Sequence, residues 1–501
     1  MEAKLQELKT HLMEINDLGS AASILHWDQT TYMPPGGAAA RGRQLATLSR
    51  LAHEKFTDSK IGTLLDDLRS YEESLPYDAD DASLIRVTRR GYEKATKVPS
   101  SFMAELQNHA AESYQVWTTA RPENDFAAVQ PYLEKTLDLS RRLADFFPGY
   151  EHIADPLIDF SDEGMKTSIV RPLFAELREQ LVPIMTAIAA QPTADDSCLR
   201  QTFPEAQQLE FADDVIKRFG YDFDRGRRDM THHPFMTKFS IGDVRITIRT
   251  KEDDLSEGLF SMTHEAGHAL YEQGTCTDYE GLPLDGGPSS GIHESQSRLW
   301  ENVVGRSRGF WNFFYPKLQS TFPDQLGKVP IDTFYCAINK VERSLIRTDA
   351  DEVTYNLHVM LRFDFELDLL EGKLAVKDLP EAWRERFQAD FGIVPPDDRD
   401  GVLQDVHWYG GTIGGSFQGY TLGNVLGAQF FATALEAHPE ITNEIEKGEF
   451  STLHNWLKEN IYQHGSKYTT PELIERVTGG PLRIEPYIHY LRSKYGTLYS
   501  L

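Results

Sequence analysis

Apolar residues recur at helical spacing along most of the chain. In the first 25 residues, Leu5, Leu8, Leu12 and Ile15 fall on one helical face, and a proline- and glycine-rich segment at 33–37 interrupts this pattern. Five further helices are predicted, each bounded by proline, glycine, aspartate or serine, over 40–53, 81–96, 99–118, 127–146 and 167–190.

A different period appears near the middle of the chain, after a loop predicted at 192–204. Apolar and polar residues alternate over 235–250, with Ile241-Gly242-Asp243 as a turn, which predicts a small β hairpin. Helical spacing returns over 255–273, and Gly274 occupies the position of a C-cap glycine. The chain is therefore expected to be mainly α with one small β element.

The second half of the chain reads as helices separated by glycine-rich loops. Loops are predicted at 275–291 and 395–420, one helix at 292–310, one or two helices at 331–373, and mostly helix after residue 420. The glycine-rich run within 410–419 lacks the Gly-Lys-Ser/Thr ending of a phosphate loop and follows no clear strand, so we discount a nucleotide site there.

The charge balance narrows the classes of partner. The 501 residues carry a formal net charge of -26, which argues against nucleic acid and anionic membranes as partners. The three cysteines, Cys198, Cys276 and Cys336, offer neither a disulfide framework nor a C-x-x-C site. There is no apolar run of 18 residues and no signal-peptide core, so a cytoplasmic protein is expected.

The most informative motif is the H-E-x-x-H sequence that begins at His264. On a helix, His264 and His268 face the same side and can hold Zn²⁺ at about 2.0–2.1 Å. Glu265 lies beside the first ligand, where it can reach water rather than the metal. Gly267 costs about 1 kcal/mol in a helix interior, which predicts that another element approaches closely. The alternative is an ordinary packed helix that carries two histidines.

A catalytic zinc needs a third protein ligand, and Glu294 is the candidate. It follows His268 by 26 residues, at the start of a predicted helix capped by Ser289 or Ser290. No extended motif with a third histidine is present. The alternative for Glu294 is a solvated glutamate favoured by the helix dipole. Glu301 is expected either to contact a ligand from outside or to lie at the surface.

Several separate segments resemble the carboxypeptidase Taq family of metallocarboxypeptidases. The similar segments, in chain order, are Trp27-Asp28-Gln29, His233-Pro234-Phe235, Asp243–Thr247, His264–His268, His293-Glu294-Ser295, Ile346–Asp351 and Gly401–Trp408. The resemblance implies one catalytic domain over 1–501, a helical fold with a deep central groove, and similarity to the angiotensin-converting-enzyme and neurolysin group. Two helical lobes around the cleft are one arrangement of such a domain.

The same resemblance implies an activity. We expect a zinc carboxypeptidase that removes C-terminal residues from peptides with broad specificity and forms a homodimer. The ligand set would also accept Co²⁺. Glu265 would act as the general base, and Tyr420 and His407 would donate to the oxyanion. The alternatives for these two are a packed aromatic and a core histidine. The 414–420 loop departs from the family pattern by one extra residue and a missing proline, which leaves the position of Tyr420 open.

Candidates for substrate binding follow from the need to hold a terminal carboxylate. Arg347, on a predicted helix with Asp351 four residues on, is the first candidate, and Arg245 on the strand before the metal helix is the second. A structural salt bridge is the alternative for each. In related metallopeptidases an edge strand in that place pairs with the substrate backbone. His233 would either contact the substrate or fix the conformation of the chain where it enters the hairpin. Gln404 and Asp405 would orient the loop or an imidazole near the metal.

Two other functions remain open at this stage. A zinc oligopeptidase or endopeptidase would use the same ligands, and tolerance of a blocked C-terminus distinguishes it. An aminopeptidase is disfavoured because no G-x-M-E-N segment is present. A helical scaffold with a structural zinc, or with none, would have no need for Glu265.

Overall fold

Helices form along most of the chain, and the computed structural model describes residues 1–501. The N-terminal helices, α1 to α10, are Glu2–Thr31, Ala38–Phe56, Ser59–Asp67, Arg69–Ser74, Asp80–Lys97, Ser100–Glu123, Phe126–Asp145, Asp155–Ser161, Thr167–Ala189 and Glu205–Phe219. All five helices predicted between residues 40 and 190 are confirmed, and the one predicted to end at residue 118 runs on to Glu123.

The predicted hairpin is confirmed, and the sheet contains one more strand. Strands β1 (Arg228–Met230), β2 (Phe235–Ser240) and β3 (Asp243–Ile248) form a sheet in the order β1-β3-β2. β2 pairs antiparallel with β3, and β1 pairs parallel with it. The three residues of β1 are too few to show a period of two, so the sequence pattern did not reveal it. β3 is consequently the central strand, and β2 is an edge.

The second half of the chain contains helices α11 to α23. They are Leu255–Gly274, Ser290–Arg298, Arg308–Thr321, Pro323–Leu326, Ile331–Ile338, Tyr355–Glu371, Leu379–Phe391, His407–Gly410, Gln418–Ala437, Ile441–Ile445, Ser451–Asn460, Thr470–Thr478 and Glu485–Tyr499. None of them, and none of α1 to α10, combines the length and apolarity needed to cross a bilayer.

One predicted helix is interrupted in the structure. The helix predicted at 292–310 is α12 followed by a π-helical turn at Leu299–Val304, and Ser307 caps the separate helix α13. Apolar spacing continues through the π-helical turn because most of its residues are also buried. The one or two helices predicted over 331–373 are two, α15 and α16, joined by a link that contains a single 3₁₀ turn at Arg347–Asp349.

The core divides into two clusters of unequal size. The larger contains 101 buried hydrophobic residues between Val98 and Tyr495, and the smaller contains 11, mostly from α1, α3 and α5 with Tyr279 and Leu284. A single catalytic domain, its deep groove and its likeness to the angiotensin-converting-enzyme group stay predictions.

Close helix crossings fix the positions of α11, α12 and α19. A Cβ on Gly267 would lie 2.5 Å from the carbonyl oxygen of Gln296, and one on Gly423 would lie 2.6 Å from the Cβ of Glu294. The close approach predicted from Gly267 is therefore confirmed. The C-cap position predicted for Gly274 was wrong, because Gly274 is the last helical residue and its φ is not positive. A glycine fits there because a Cβ would meet the Tyr462 ring at 2.7 Å.

Candidate metal centre and substrate site

The structure brings His264, His268 and Glu294 together. The histidines lie one turn apart on α11, and Glu294 comes from the crossing helix α12. One ligand atom of each lies within 4.8 Å of the others. Glu294 Oε2 is 3.7 Å from His264 Nε2 and 3.4 Å from His268 Nε2.

These distances fit a tetrahedral zinc ion. Bonds of about 2.0–2.1 Å at tetrahedral angles put neighbouring ligand atoms about 3.3 Å apart. Two imidazole nitrogens and one carboxylate oxygen are also the donor set of catalytic zinc sites, which keep the fourth position open. His264, His268 and Glu294 therefore fit a zinc ion.

Arg298 and Ser297 orient the carboxylate of Glu294. Its Nε donates to Glu294 Oε1 at 2.7 Å, and Ser297 Oγ donates to Glu294 Oε2 at 3.1 Å. Burial opposes ionisation of Glu294, but the charges of Arg298 and His264 outweigh it and hold the pKa of this carboxyl well below its usual range. Glu294 is therefore ionised and held in one orientation, as a metal ligand needs to be.

Each metal-facing histidine is also contacted on its other ring nitrogen. His264 Nδ1 lies 2.8 Å from Glu301 Oε2, and His268 Nδ1 lies 2.6 Å from His293 Nδ1. Of the two positions predicted for Glu301, the structure has the first, because its side chain is partly buried and contacts His264. Sequence reasoning assigned no role to Glu272, whose Oε1 lies 2.7 Å from His293 Nε2. Its position four residues after His268, on the same helical face, was the available signal.

Glu265 is a buried carboxyl next to the three ligands. Burial raises its pKa to about 7, with the His264 charge acting against this rise. The backbone amide of Met236, on the edge strand β2, also favours the ionised form. A carboxyl with a pKa near neutrality is suited to take up and release a proton at physiological pH.

Tyr420 lines a cavity together with His268 and Glu294, and His407 contacts its hydroxyl. His407 Nε2 lies 3.2 Å from the Tyr420 hydroxyl. Burial raises the pKa of Tyr420 to about 12, and burial together with Arg347 lowers the pKa of His407 to about 4. Both side chains are therefore neutral at pH 7, and the longer 414–420 loop still places Tyr420 beside His268 and Glu294.

Two adjoining cavities extend from the candidate metal centre. The first has a volume of about 280 Å³ and a polar lining that includes His268, Glu294, Ser290, Ser416, Gln418 and Tyr420. The second, of about 550 Å³, shares Ser161 and Gly415 with the first and is lined by apolar residues that include Val98, Met103, Leu143, Leu157 and Phe160. The metal centre thus opens toward a polar region and then an apolar one.

Arg347 is buried in a single 3₁₀ turn rather than on an α-helix, and its predicted pairing with Asp351 was wrong. Its Nε and Nη2 donate to Asp405 at 3.1 and 2.8 Å, and its Nη1 donates to the Tyr355 hydroxyl at 2.9 Å. Asp351 instead accepts from the backbone amides that lead into α16. The Arg347 guanidinium carbon lies 5.2 Å from the Tyr420 ring centroid, so this arginine is at the site.

Gln404 ties the Arg347 link to the following loop. Its Oε1 accepts from the backbone amide of Arg347 at 2.9 Å. Its Nε2 donates to the carbonyl oxygens of Leu345, Asp400 and Gly401. These bonds use the side chain fully, so its contribution here is to position Arg347.

Arg245 lies on the central strand of the sheet, not on an edge. It donates twice to Asp243 at 2.8 Å and stacks over Trp27 of α1, with its guanidinium carbon 4.4 Å from the ring centroid. His233 is exposed, just before β2. The edge strand β2 is held by Thr247, whose hydroxyl contacts both the amide and the carbonyl of Phe235.

Comparison with known proteins agrees with this geometry. Residues 7–495 match the family described as carboxypeptidase Taq (M32) metallopeptidase. The chain belongs to that family. It is 40% identical to thermostable carboxypeptidase 1 of Thermus thermophilus, over 100% of this chain and 99% of that one. It is 35% identical to carboxypeptidase 1 of Bacillus subtilis, over 98% of this chain and 97% of that one.

The fold agrees with a solved member of the family. The crystal structure of the M32 carboxypeptidase from Deinococcus radiodurans R1 superposes with a TM-score of 0.97, at 50% identity and over 100% of both chains. Membership makes the chain a peptide-hydrolysing metalloenzyme of the metallocarboxypeptidase class. The alternative of a non-catalytic helical scaffold is thereby removed.

Proposed function

We propose that this protein is a zinc-dependent carboxypeptidase that removes C-terminal residues from peptides, with His264, His268 and Glu294 as metal ligands. The observation that carries the proposal is the convergence of these three ligand atoms within 4.8 Å, beside the buried carboxyl of Glu265. Zinc in such a site supplies Lewis acidity to water and to the scissile carbonyl.

The remaining chemistry falls to side chains of the chain itself. Glu265 accepts a proton from the attacking water and passes it to the leaving amine. Tyr420, neutral and directed at the cavity, donates a hydrogen bond to the oxyanion that develops on the carbonyl. His407 supports the Tyr420 hydroxyl from behind.

The terminal carboxylate of the substrate is assigned first to Arg347. Asp405 and Tyr355 hold its guanidinium beside Tyr420, with N–H groups to spare for a carboxylate. Gln404 contributes by positioning it. Arg245 and His233 remain the weaker candidates for substrate contact, because one is paired with Asp243 and the other is exposed.

Further properties of the proposal rest on the family resemblance and the ligand set. We include broad specificity for the residue removed, use of Co²⁺ in place of zinc, a homodimer and a cytoplasmic location. The adjoining polar and apolar cavities support acceptance of different side chains. The ligand atoms fit Co²⁺ because its donor preferences are close to those of zinc.

The deciding experiment compares a peptide that has a free C-terminus with its C-terminal amide. Zinc-loaded protein should trim only the free peptide from its end, and Glu265→Gln should be inactive. Equal cleavage of the amide would favour the oligopeptidase or endopeptidase alternative. Full activity of Glu265→Gln would refute the assignment of the base.

A further inference from the structure

Two side chains, His293 and Glu272, form a hydrogen-bonded line behind His268, one of the proposed metal ligands. His268 Nδ1 lies 2.6 Å from His293 Nδ1, and His293 Nε2 lies 2.7 Å from Glu272 Oε1. Glu272 and His268 are one helical turn apart on α11, and His293 comes from α12. A second imidazole thus stands between the ligand and its carboxylate.

The direction of the hydrogen bonds follows from metal binding. For His268 to coordinate through Nε2, that atom must offer a lone pair, so the ring proton resides on Nδ1. His293 Nδ1 must then accept this proton's hydrogen bond, which leaves the proton of His293 on Nε2. That N–H donates to the Glu272 carboxylate. Only this arrangement of protons satisfies every contact in the line.

We propose that Glu272 and His293 are positioning residues for the metal, fixing the tautomer and ring orientation of His268 through a carboxylate–imidazole–imidazole chain. The inference rests on the proposed function, since it requires that a metal binds at His264, His268 and Glu294. A carboxylate behind a ligating histidine raises its basicity and orients its ring. Here that influence passes through one additional side chain.

Glu272, at the outer end of this hydrogen-bonded line, is itself held by other contacts. Lys238 Nζ, on the edge strand β2, donates to Glu272 Oε2 at 2.9 Å, and the amide of Gly287 donates to Glu272 Oε1 at 3.3 Å. Asp285 pairs with the same lysine. The Tyr271 ring stacks on His293, with centroids 5.1 Å apart and planes 16° apart. Neither Glu272 nor His293 is therefore free to adopt another orientation.

The other ligating histidine is supported differently. His264 Nδ1 faces Glu301 Oε2 directly at 2.8 Å, without an intervening ring. Loss of Glu272 should therefore act on His268 alone and leave the support of His264 intact. This predicts a weakened metal site rather than a destroyed one.

The test is the zinc affinity of the apoprotein, measured by competition with a chromophoric chelator, together with the visible spectrum of the Co²⁺ form. Glu272→Gln and His293→Phe, which retain side-chain size, should each weaken zinc binding by about 10- to 100-fold. His293→Gln, which can still accept from His268, should lose less than His293→Phe. The Co²⁺ spectrum should shift in all three.

A matched control exists elsewhere in the molecule. His152 Nε2 lies 2.7 Å from Glu371 Oε1 in a pair of the same kind that includes no metal ligand. Glu371→Gln should leave zinc affinity within twofold of wild type. Thermal unfolding of each apoprotein establishes that the variants are folded and reports any general loss of stability.

Three outcomes would overturn the inference. One is a Glu272→Gln variant that is less stable but binds zinc as tightly as wild type, which would make the residue purely structural. A second is a loss of zinc affinity in the Glu272→Gln/His293→Phe double variant that equals the sum of the two single losses in free energy. Residues that act through one hydrogen-bonded line should not contribute independently. Wild-type protein that binds no zinc would instead refute the proposed function, and this inference with it.

Discussion

His407 Nε2 and the Tyr420 hydroxyl lie 3.2 Å apart, although the two residues belong to different helices, α18 and α19. The contact holds the phenol at the wall of the cavity that contains His268 and Glu294. Since burial keeps the pKa of Tyr420 at about 12, its hydroxyl retains a proton to donate throughout the physiological range.

Removal of this donor should slow the chemical step. Tyr420→Phe is expected to lower kcat by about 10²- to 10³-fold with a smaller effect on KM, as for other oxyanion donors. Steady-state kinetics on a free peptide measures both. Tyr409→Phe is the control, because the Tyr409 hydroxyl is buried without a hydrogen-bond partner and its loss should leave kcat unchanged. A Tyr420→Phe enzyme with wild-type kcat would contradict the oxyanion role.

The two arginine candidates can be separated by a pair of conservative substitutions. Arg347→Lys keeps the charge but loses the fork, so kcat/KM for a peptide with a free C-terminus should fall by about tenfold or more. Arg245→Lys should leave the preference for free acid over amide intact, because Arg245 is engaged with Asp243 and Trp27. The ratio of kcat/KM for acid and amide is the measurement. If Arg245→Lys lowers this ratio and Arg347→Lys leaves it unchanged, the carboxylate-binding role belongs to Arg245.

Glu366 should make stability depend on pH. It is fully buried on α16, where Trp408 Nε1 donates to its Oε1 at 2.9 Å, and burial raises its pKa to about 7 from 4.5. The folded state therefore binds this proton more tightly than the unfolded state. Its contribution is complete below pH 4.5 and is lost as pH rises through 7, a change on the order of 3 kcal/mol.

Glu366→Gln tests this directly, because glutamine resembles the protonated acid. The variant should be more stable than wild type at pH 8, and the difference should shrink or reverse at pH 5. Chemical unfolding at the two pH values gives the comparison, and contributions of other titrating groups cancel between the two proteins. A stability difference that is the same at both pH values would rule out the raised pKa.

The crossing of α11 and α12 should not tolerate a methyl group. Gly267→Ala places a Cβ 2.5 Å from the Gln296 carbonyl oxygen and 2.6 Å from the Ser297 Cα, both on the main chain. We expect a loss of about 1–3 kcal/mol in the free energy of unfolding, with weaker zinc binding, because the ligand-bearing helices must separate.

Gly42→Ala provides the comparison, since nothing lies within 4 Å of a Cβ on this α2 glycine. It should gain up to about 1 kcal/mol from higher helix propensity. Denaturant unfolding measures both variants. Equal stability of Gly267→Ala and wild type would contradict a close crossing of α11 and α12 at this position.

The sequence by itself determined the features that depend on neighbours along the chain. Helical spacing predicted most of the N-terminal helices, and alternation predicted the β2–β3 hairpin. The metal-binding histidines were evident because residues four apart share a helical face. Gly267 indicated a close crossing because a glycine is costly inside a helix unless space requires it.

The tertiary structure alone decided which distant groups meet. Arg347 pairs with Asp405, 58 residues further on, rather than with the nearby Asp351, because its segment is not α-helical. The short strand β1 exists only because β3 offers it a parallel partner. His293 and Glu272 meet because α12 crosses α11, and such contacts between buried polar groups are set by packing, which no local periodicity records.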